Sequence, residues 1–196
     1  SAYYVSKFKN SLVTSYDGVG EFNSALFGHA SNGKIRIFHD KNVFPDSLGL
    51  FYSTITDFLG LPINDAEFKV MGLSSFGKPK YVSQLRKMIS FENKQLKLNM
   101  KYFDFNRSLI NSYSKEFEKL LNIPANISPL PINKTSHFNE YADIACSAQI
   151  VLTENIIKLL EYLYDKTKVK KFHLTGGVAL NCKMIESLSA LPFIDN

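Results

Sequence analysis

The order of apolar and polar positions along the chain divides it into a strand-rich beginning and a helix-rich remainder. Short alternating runs at Ser11–Tyr16, Phe22–His29 and Lys34–His39 predict three consecutive strands. Asp17-Gly18-Val19-Gly20-Glu21 separates the first two, and Asn32-Gly33 marks a tight hairpin between the second and third. After Asp46-Ser47, a pair suited to capping, Leu48, Phe51, Tyr52, Ile55 and Phe58-Leu59 recur at helical spacing, and Gly60 supplies a stop. Glu67–Pro79 holds two glycines and a proline and reads as a shaped segment rather than a regular element.

Farther on, Tyr81–Ile89 reads as a helix, and Ser90–Phe105 as a hairpin turning at Asn93-Lys94. Lys115–Lys119 reads as a solvated helix face. Residues 124–136, with three prolines and several Asn and Ser, read as a loop. From Asn139 to Thr167, the residues Tyr141, Ile144, Ala145, Ala148, Val151, Leu152, Ile156, Leu159, Leu160 and Leu163 trace the longest amphipathic stripe. A buried strand over Lys170–Leu174, the turn Thr175-Gly176-Gly177 and a helix over Val178–Ala190 complete the pattern. The fold class is therefore α/β. Its sheet is mixed: three leading antiparallel strands, then a parallel strand reached through the long crossover helix.

Composition narrows the function classes. At 196 residues, with 45% hydrophobic and 21% charged residues, the chain belongs with soluble globular domains. No apolar run reaches the ~20 residues of a spanning helix, so no membrane partner is expected. The excess of 23 Lys+Arg over 18 Asp+Glu, a net +5, is too thin for a nucleic-acid partner. Two cysteines, Cys146 and Cys182, exclude a disulfide scaffold and point to a reducing, cytoplasmic setting. The start at Ser-Ala-Tyr-Tyr and the turn-like end predict a piece of a longer protein.

Two glycine turns carry the candidate chemistry. Gly18 and Gly20 let backbone N–H groups approach an anion, and Asp17 beside them calls for a divalent cation between carboxylate and phosphate. The same residues also make an ordinary Asp-Gly hairpin turn. Gly176-Gly177 opens toward a helix whose positive end favours an anion or nucleotide, with Asn181 one turn in, able to reach a ribose or phosphate. Close helix–strand packing explains that pair equally well. The histidines His29, His39, His137 and His173 show no metal-ligand spacing. Cys182 has no nearby base to activate it.

A longer set of motifs raises a family resemblance. Asp17-Gly18-Val19-Gly20-Glu21 is followed by Ser47-Leu48-Gly49-Leu50-Phe51-Tyr52-Ser53. Glu67–Leu73 (EFKVMGL) and Phe76-Gly77-Lys78-Pro79 come next, then Tyr141–Ala145 with Gln149, and finally Gly176–Cys182 (GGVALNC). In this order they resemble the O-carbamoyltransferases of the nodulation-protein-U and cephamycin or tobramycin type, over all but about residues 80–138.

The resemblance implies a ribonuclease H-like, actin-like ATPase lobe, with residues 1–196 as most of the second lobe of the family's first domain. The first lobe, an HxxxH metal pair, a late Gly-Asp-Ala-Gly segment and a YrdC-like domain are not in this sequence. Family members use ATP and carbamoyl phosphate to make a carbamoyl-adenylate and pass the carbamoyl group to a hydroxyl of a sugar or natural product. By the resemblance, Asp17 is a ligand of a divalent metal, Fe2+ or alternatively Mg2+. Gly18, Gly20, Glu21, Gly176, Gly177 and Asn181 hold nucleotide, and Glu67, Lys69 and Gly72 line the same cleft. The acceptor is read elsewhere, and an exposed apolar face favours a homo-oligomer. This chain alone is then expected to be inactive and to bind metal weakly. A non-catalytic actin-like nucleotide-binding module and a relative of the tRNA threonylcarbamoyl transferases are the alternatives.

Overall fold

The computed structural model describes residues 2–20, 23–38, 42–108, 110–128 and 130–195. Glu21 and the predicted strand ends Phe22 and His39 lie outside the described residues. The chain divides into two compact units, one of 1–49, 91–97 and 153–196, the other of 50–90 and 98–152.

The first unit carries the sheet. A short helix α1 (Ala2–Val5) precedes β1 (Asn10–Tyr16), β2 (Asn23–Ser31), β3 (Lys34–Ile37) and β4 (Asn42–Val43), and the last strand is β7 (Phe172–Thr175). The order is β3-β2-β1-β7, with β4 also on β2. β1–β2 and β2–β3 are antiparallel, whereas β1–β7 is parallel, with Leu12 opposite Phe172 and Ser15 opposite Thr175. The expected mixed sheet is therefore present. Leu12, Thr14 and Tyr16 alternate along one buried face of β1, and Tyr16 packs against the Phe27 ring at 5.9 Å. Asn32 and Gly33 both hold positive φ, 50° and 74°, as a two-residue hairpin requires.

The second unit is mainly helical. It holds most of α2 (Leu48–Phe58), then α3 (Glu67–Leu73), α4 (Val82–Leu85) and α5 (Lys115–Leu121). Phe51, Ile55, Phe58 and Phe117 are fully buried, with Phe58 and Phe117 in edge-to-face contact at 4.8 Å. Two elements cross the division. α6 (Phe138–Thr167) belongs to the second unit up to Leu152 and to the first beyond it, and every residue of its predicted stripe is buried. β5 (Ile89–Glu92) and β6 (Gln95–Leu98) form the hairpin around Asn93 and Lys94, both at positive φ.

Four expectations need correction. Glu67–Leu73 is a regular helix: Val70 and Leu73 bury one face, and Glu67 complements its N-terminal dipole, so Gly72 is tolerated near its end. Tyr81–Ile89 is helical only over Val82–Leu85, because Ile89 already starts β5. The last strand is displaced to Phe172–Thr175. Beyond it, Gly177–Leu180 forms a 3-10 turn, and the last helix, α7 (Cys182–Ser189), starts only after it. Among the described residues no helix is long and apolar enough to cross a membrane.

His173 on β7 links α1 to the sheet. Its Nε2 lies 3.1 Å from Ser6 Oγ, and its ring packs against Phe8 at 5.4 Å and Tyr3 at 6.2 Å. Burial holds its pKa below the ordinary histidine value. A group whose folded pKa is depressed in this way keeps its full contribution above the unfolded value and loses it as pH falls from there through the lower folded value. Urea unfolding between pH 7.5 and 5 is expected to show stability falling with pH, with a shallower fall in His173→Leu. Equal slopes in the two proteins would remove His173 as the source.

Candidate functional site

Tyr16 ends β1 and Thr175 ends β7, and because these strands are parallel neighbours, both glycine turns emerge at one sheet edge. In open α/β sheets, that carboxyl edge is where ligands collect. The two turns touch directly. Gly177 N–H donates to Asp17 Oδ1 at 2.7 Å, and Ser15 Oγ donates to Asp17 Oδ2 at 3.1 Å. Thr175 Oγ1 donates to the Thr14 carbonyl, tying the strand ends together just below.

Backbone approach fixes the arrangement. Gly176 has φ +89°, and a Cβ there would collide with the Tyr16 carbonyl and come within 2.8 Å of Asp17 Oδ2. Only glycine meets both demands. On the other side, Ser47 Oγ donates to the Asp17 carbonyl at 2.8 Å, and a Cβ at Gly49 would stand 2.6 Å from the Gly18 backbone. Gly20 N–H donates to the Asn23 carbonyl at 3.2 Å. The Asp17 side chain is half-buried, and Gly177 is exposed.

Asn181 has a local role here. As the N-cap of α7, its Oδ1 accepts the Met184 N–H at 3.0 Å, and the residue is buried. The positive end of that helix therefore lies at Cys182, several residues beyond Gly177. Glu67, Lys69 and Gly72 belong to the other compact unit. There Glu67 Oε1 accepts from Ser53 Oγ at 2.8 Å and from Asn64 N–H at 2.9 Å. Lys69 Nζ lies 5.8 Å from the exposed Phe68 ring, and Gly72 faces open space.

The donor set does not fit a metal ion on its own. Asp17 is one carboxylate with a hydrogen bond on each oxygen, whereas a hard divalent cation takes about six oxygen ligands. Among the described residues there is no group of three or more His, Cys, Asp or Glu placed to hold a metal.

The sequence points to Ser47 only as half of a capping pair, and to neither Ser15 nor Gly49 individually. Gly49 does leave a signal, since a glycine one residue into an amphipathic helix carries a propensity cost and marks a close backbone approach.

Comparison with known proteins covers nearly the whole chain. Residues 1–195 match the family described as "Carbamoyltransferase N-terminus". An uncharacterized protein of Synechocystis sp. is 33% identical over 184 residues, 93% of this chain and 29% of that protein. Nodulation protein NolNO of Sinorhizobium fredii is 29% identical over 188 residues, 94% of this chain and 25% of its own length. Nodulation protein NolO of Bradyrhizobium diazoefficiens is 28% identical over 191 residues, 94% of this chain and 30% of its own length. The chain thus spans less than a third of the length of these curated relatives.

Proposed function

Because the chain belongs to the carbamoyltransferase N-terminal family, we propose that the protein carrying it is an ATP-dependent O-carbamoyltransferase. In this reading, carbamoyl phosphate, ATP and water give a carbamoyl-adenylate, phosphate and pyrophosphate, and the carbamoyl group passes to a hydroxyl of a sugar or natural product as AMP leaves. The observation that carries the reading is the family match across 195 residues. Two relatives whose names place them in nodulation agree with it.

The sheet edge is where this chain contributes. Three antiparallel strands followed by a parallel one support an actin-like lobe, and the adjoining turns at Asp17 and Gly176-Gly177 give ATP phosphates a backbone surface to approach. Gly18 and Gly20 extend that surface. In this reading Asp17 supplies one carboxylate to a divalent metal centre, Fe2+ or Mg2+. We place the protein in the cytoplasm, with carbamoyl phosphate and a hydroxyl acceptor as its small-molecule partners.

Carbamoyl phosphate-dependent release of pyrophosphate from ATP is the measurement that tests this. Release that needs both substrates, followed by carbamoylation of an added polyol or sugar, is the expected result. Nucleotide binding with no such release would favour the non-catalytic module. Transfer of threonylcarbamoyl to tRNA would move the protein to the neighbouring enzyme class.

A further inference from the structure

We propose that Asn32-Gly33, at the tip of the β2–β3 hairpin, is a site of spontaneous deamidation, and that the Tyr3 phenol of α1 gates it. While α1 is docked, the side-chain amide of Asn32 is kept intact. When α1 opens, the pair is released to convert into a carboxylate. The modification therefore records how often α1 leaves the hairpin.

The sequence supplies the reactive pair. Asn32-Gly33 is the one Asn-Gly step in the 196 residues. An asparagine side chain is attacked by the backbone nitrogen of the next residue, and a glycine there has no Cβ to obstruct the approach. Solvent base takes the Gly33 N–H proton, the nitrogen bonds to Asn32 Cγ, and the Cγ–Nδ2 bond breaks. Ammonia leaves, its extra proton coming from water. A second water then opens the cyclic imide at either carbonyl. Opening at Cγ gives aspartate, and opening at the backbone carbonyl gives isoaspartate, which lengthens the main chain. An isoaspartate there alters the turn that sets Ser31 opposite Lys34, so the product loosens β3.

The fold withholds the attacking nitrogen rather than the side chain. Asn32 and Gly33 are both exposed. The Gly33 N–H, by contrast, donates to the Tyr3 hydroxyl at 3.0 Å. Tyr3 is 5% exposed, and its hydroxyl donates in turn to the Lys9 carbonyl at 3.3 Å, so the phenol is itself fixed. A proton held by a buried oxygen is kept from solvent base. The same bond pins the Asn32–Gly33 peptide plane in the positive-φ geometry of the turn, whereas ring closure needs the nitrogen to swing onto Asn32 Cγ. Helix α1 is seated at a second point, where Ser6 Oγ lies 3.1 Å from His173 Nε2. Conversion is thus confined to molecules in which this four-residue helix has opened, and short marginal elements open locally more readily than the core.

Incubation at neutral pH, with Asn32 followed by peptide mass and isoaspartate content, is the experiment. The folded parent is expected to convert at least about tenfold more slowly than the same chain unfolded in urea. Tyr3→Phe keeps the ring and removes the hydroxyl, and is expected to convert about three- to tenfold faster than the parent. Ser6→Ala loosens α1 without touching the hairpin bond, and is expected to gain about twofold. Gly176→Ala weakens the fold away from α1 and is expected to keep the parent's rate. Equal rates in the folded and unfolded parent would overturn the proposal, because nothing then gates the pair. Tyr3→Phe at the parent's rate would do the same, since the turn alone would account for the protection. So would equal acceleration by Gly176→Ala and Tyr3→Phe, which would make global unfolding the route. If Tyr3→Phe fails to fold, Ser6→Ala against Gly176→Ala decides, and equal rates in those two overturn the proposal.

Discussion

Gly176→Ala is expected to lower the unfolding free energy by about 2–5 kcal/mol, as a shift of the urea midpoint at unchanged slope. Two costs combine at this position. An L-residue held at φ +89° forfeits roughly 1–2 kcal/mol of backbone energy. The added methyl meets the Tyr16 carbonyl, a backbone atom in a paired strand, with Asp17 Oδ2 as its next neighbour. Overpacking against atoms that cannot yield costs about 1–3 kcal/mol more. Tyr16 cannot retreat, because its side chain is buried against Phe27 and its backbone is paired to Ala25. Gly72→Ala provides the contrast. It sits in a helix with open space around the new Cβ, so it should be neutral or gain up to about 1 kcal/mol. A Gly176→Ala loss below about 0.5 kcal/mol would mean the turn relaxes, and its close approach to Asp17 would not be a fixed feature of the fold.

The same contrast explains which parts of the fold were legible in the sequence. The strands were readable because their alternation is set by one buried face. The β1 and β2 pairing then follows from a short turn, and the Asn-Gly and Asn-Lys hairpins announce themselves by residues that accept positive φ. The long helix was readable because ten buried positions repeat at one period over about six turns. Helix α3 was hidden by its own glycine and by the Gly-Lys-Pro that follows. Its two buried residues, Val70 and Leu73, are too few to outweigh them in a periodicity reading. The delayed start of α7 was hidden for a related reason. Asn181 looked like a ligand-facing polar group, yet its position three residues before Met184 is that of an N-cap.

The candidate site was legible as residue types and not as bonds. Asp17 and the Gly176-Gly177 pair stand 160 positions apart at Gly177, and nothing in either segment states that one donates to the other. The parallel β1–β7 pairing makes that contact, and long-range pairing is the part of a fold that local pattern does not encode. Glu67 shows the converse. Its place in a recognisable motif drew it toward the ligand, while its carboxylate closes local contacts with Ser53 and Asn64. A motif residue can therefore serve its own helix terminus as well as any role in a cleft.

The second large effect belongs to Asp143, whose motif was recognised but whose bonds were not. Asp143 lies near the start of α6 at 4% exposure. Its Oδ1 accepts the Lys78 N–H at 2.6 Å, and its Oδ2 pairs with Lys80 Nζ at 2.7 Å. Ser147 Oγ, one turn on, accepts the Tyr81 N–H at 2.9 Å. The segment after α3 is thus strapped to α6 through backbone donors that would otherwise lack partners. Magnitudes separate the two bonds. Lys80 is 63% exposed, so its ion pair is screened by water and contributes little. Leaving a partly buried backbone N–H without an acceptor costs about 1–3 kcal/mol. Asp143→Ala is therefore expected to lose about 2–3 kcal/mol, whereas Lys80→Ala should lose much less. Asp143→Asn keeps an acceptor for Lys78 and should resemble Lys80→Ala, and amide exchange at Lys78 should accelerate only in Asp143→Ala. Equal losses for Lys80→Ala and Asp143→Ala would place the energy in the ion pair and take the strap away from the backbone bond.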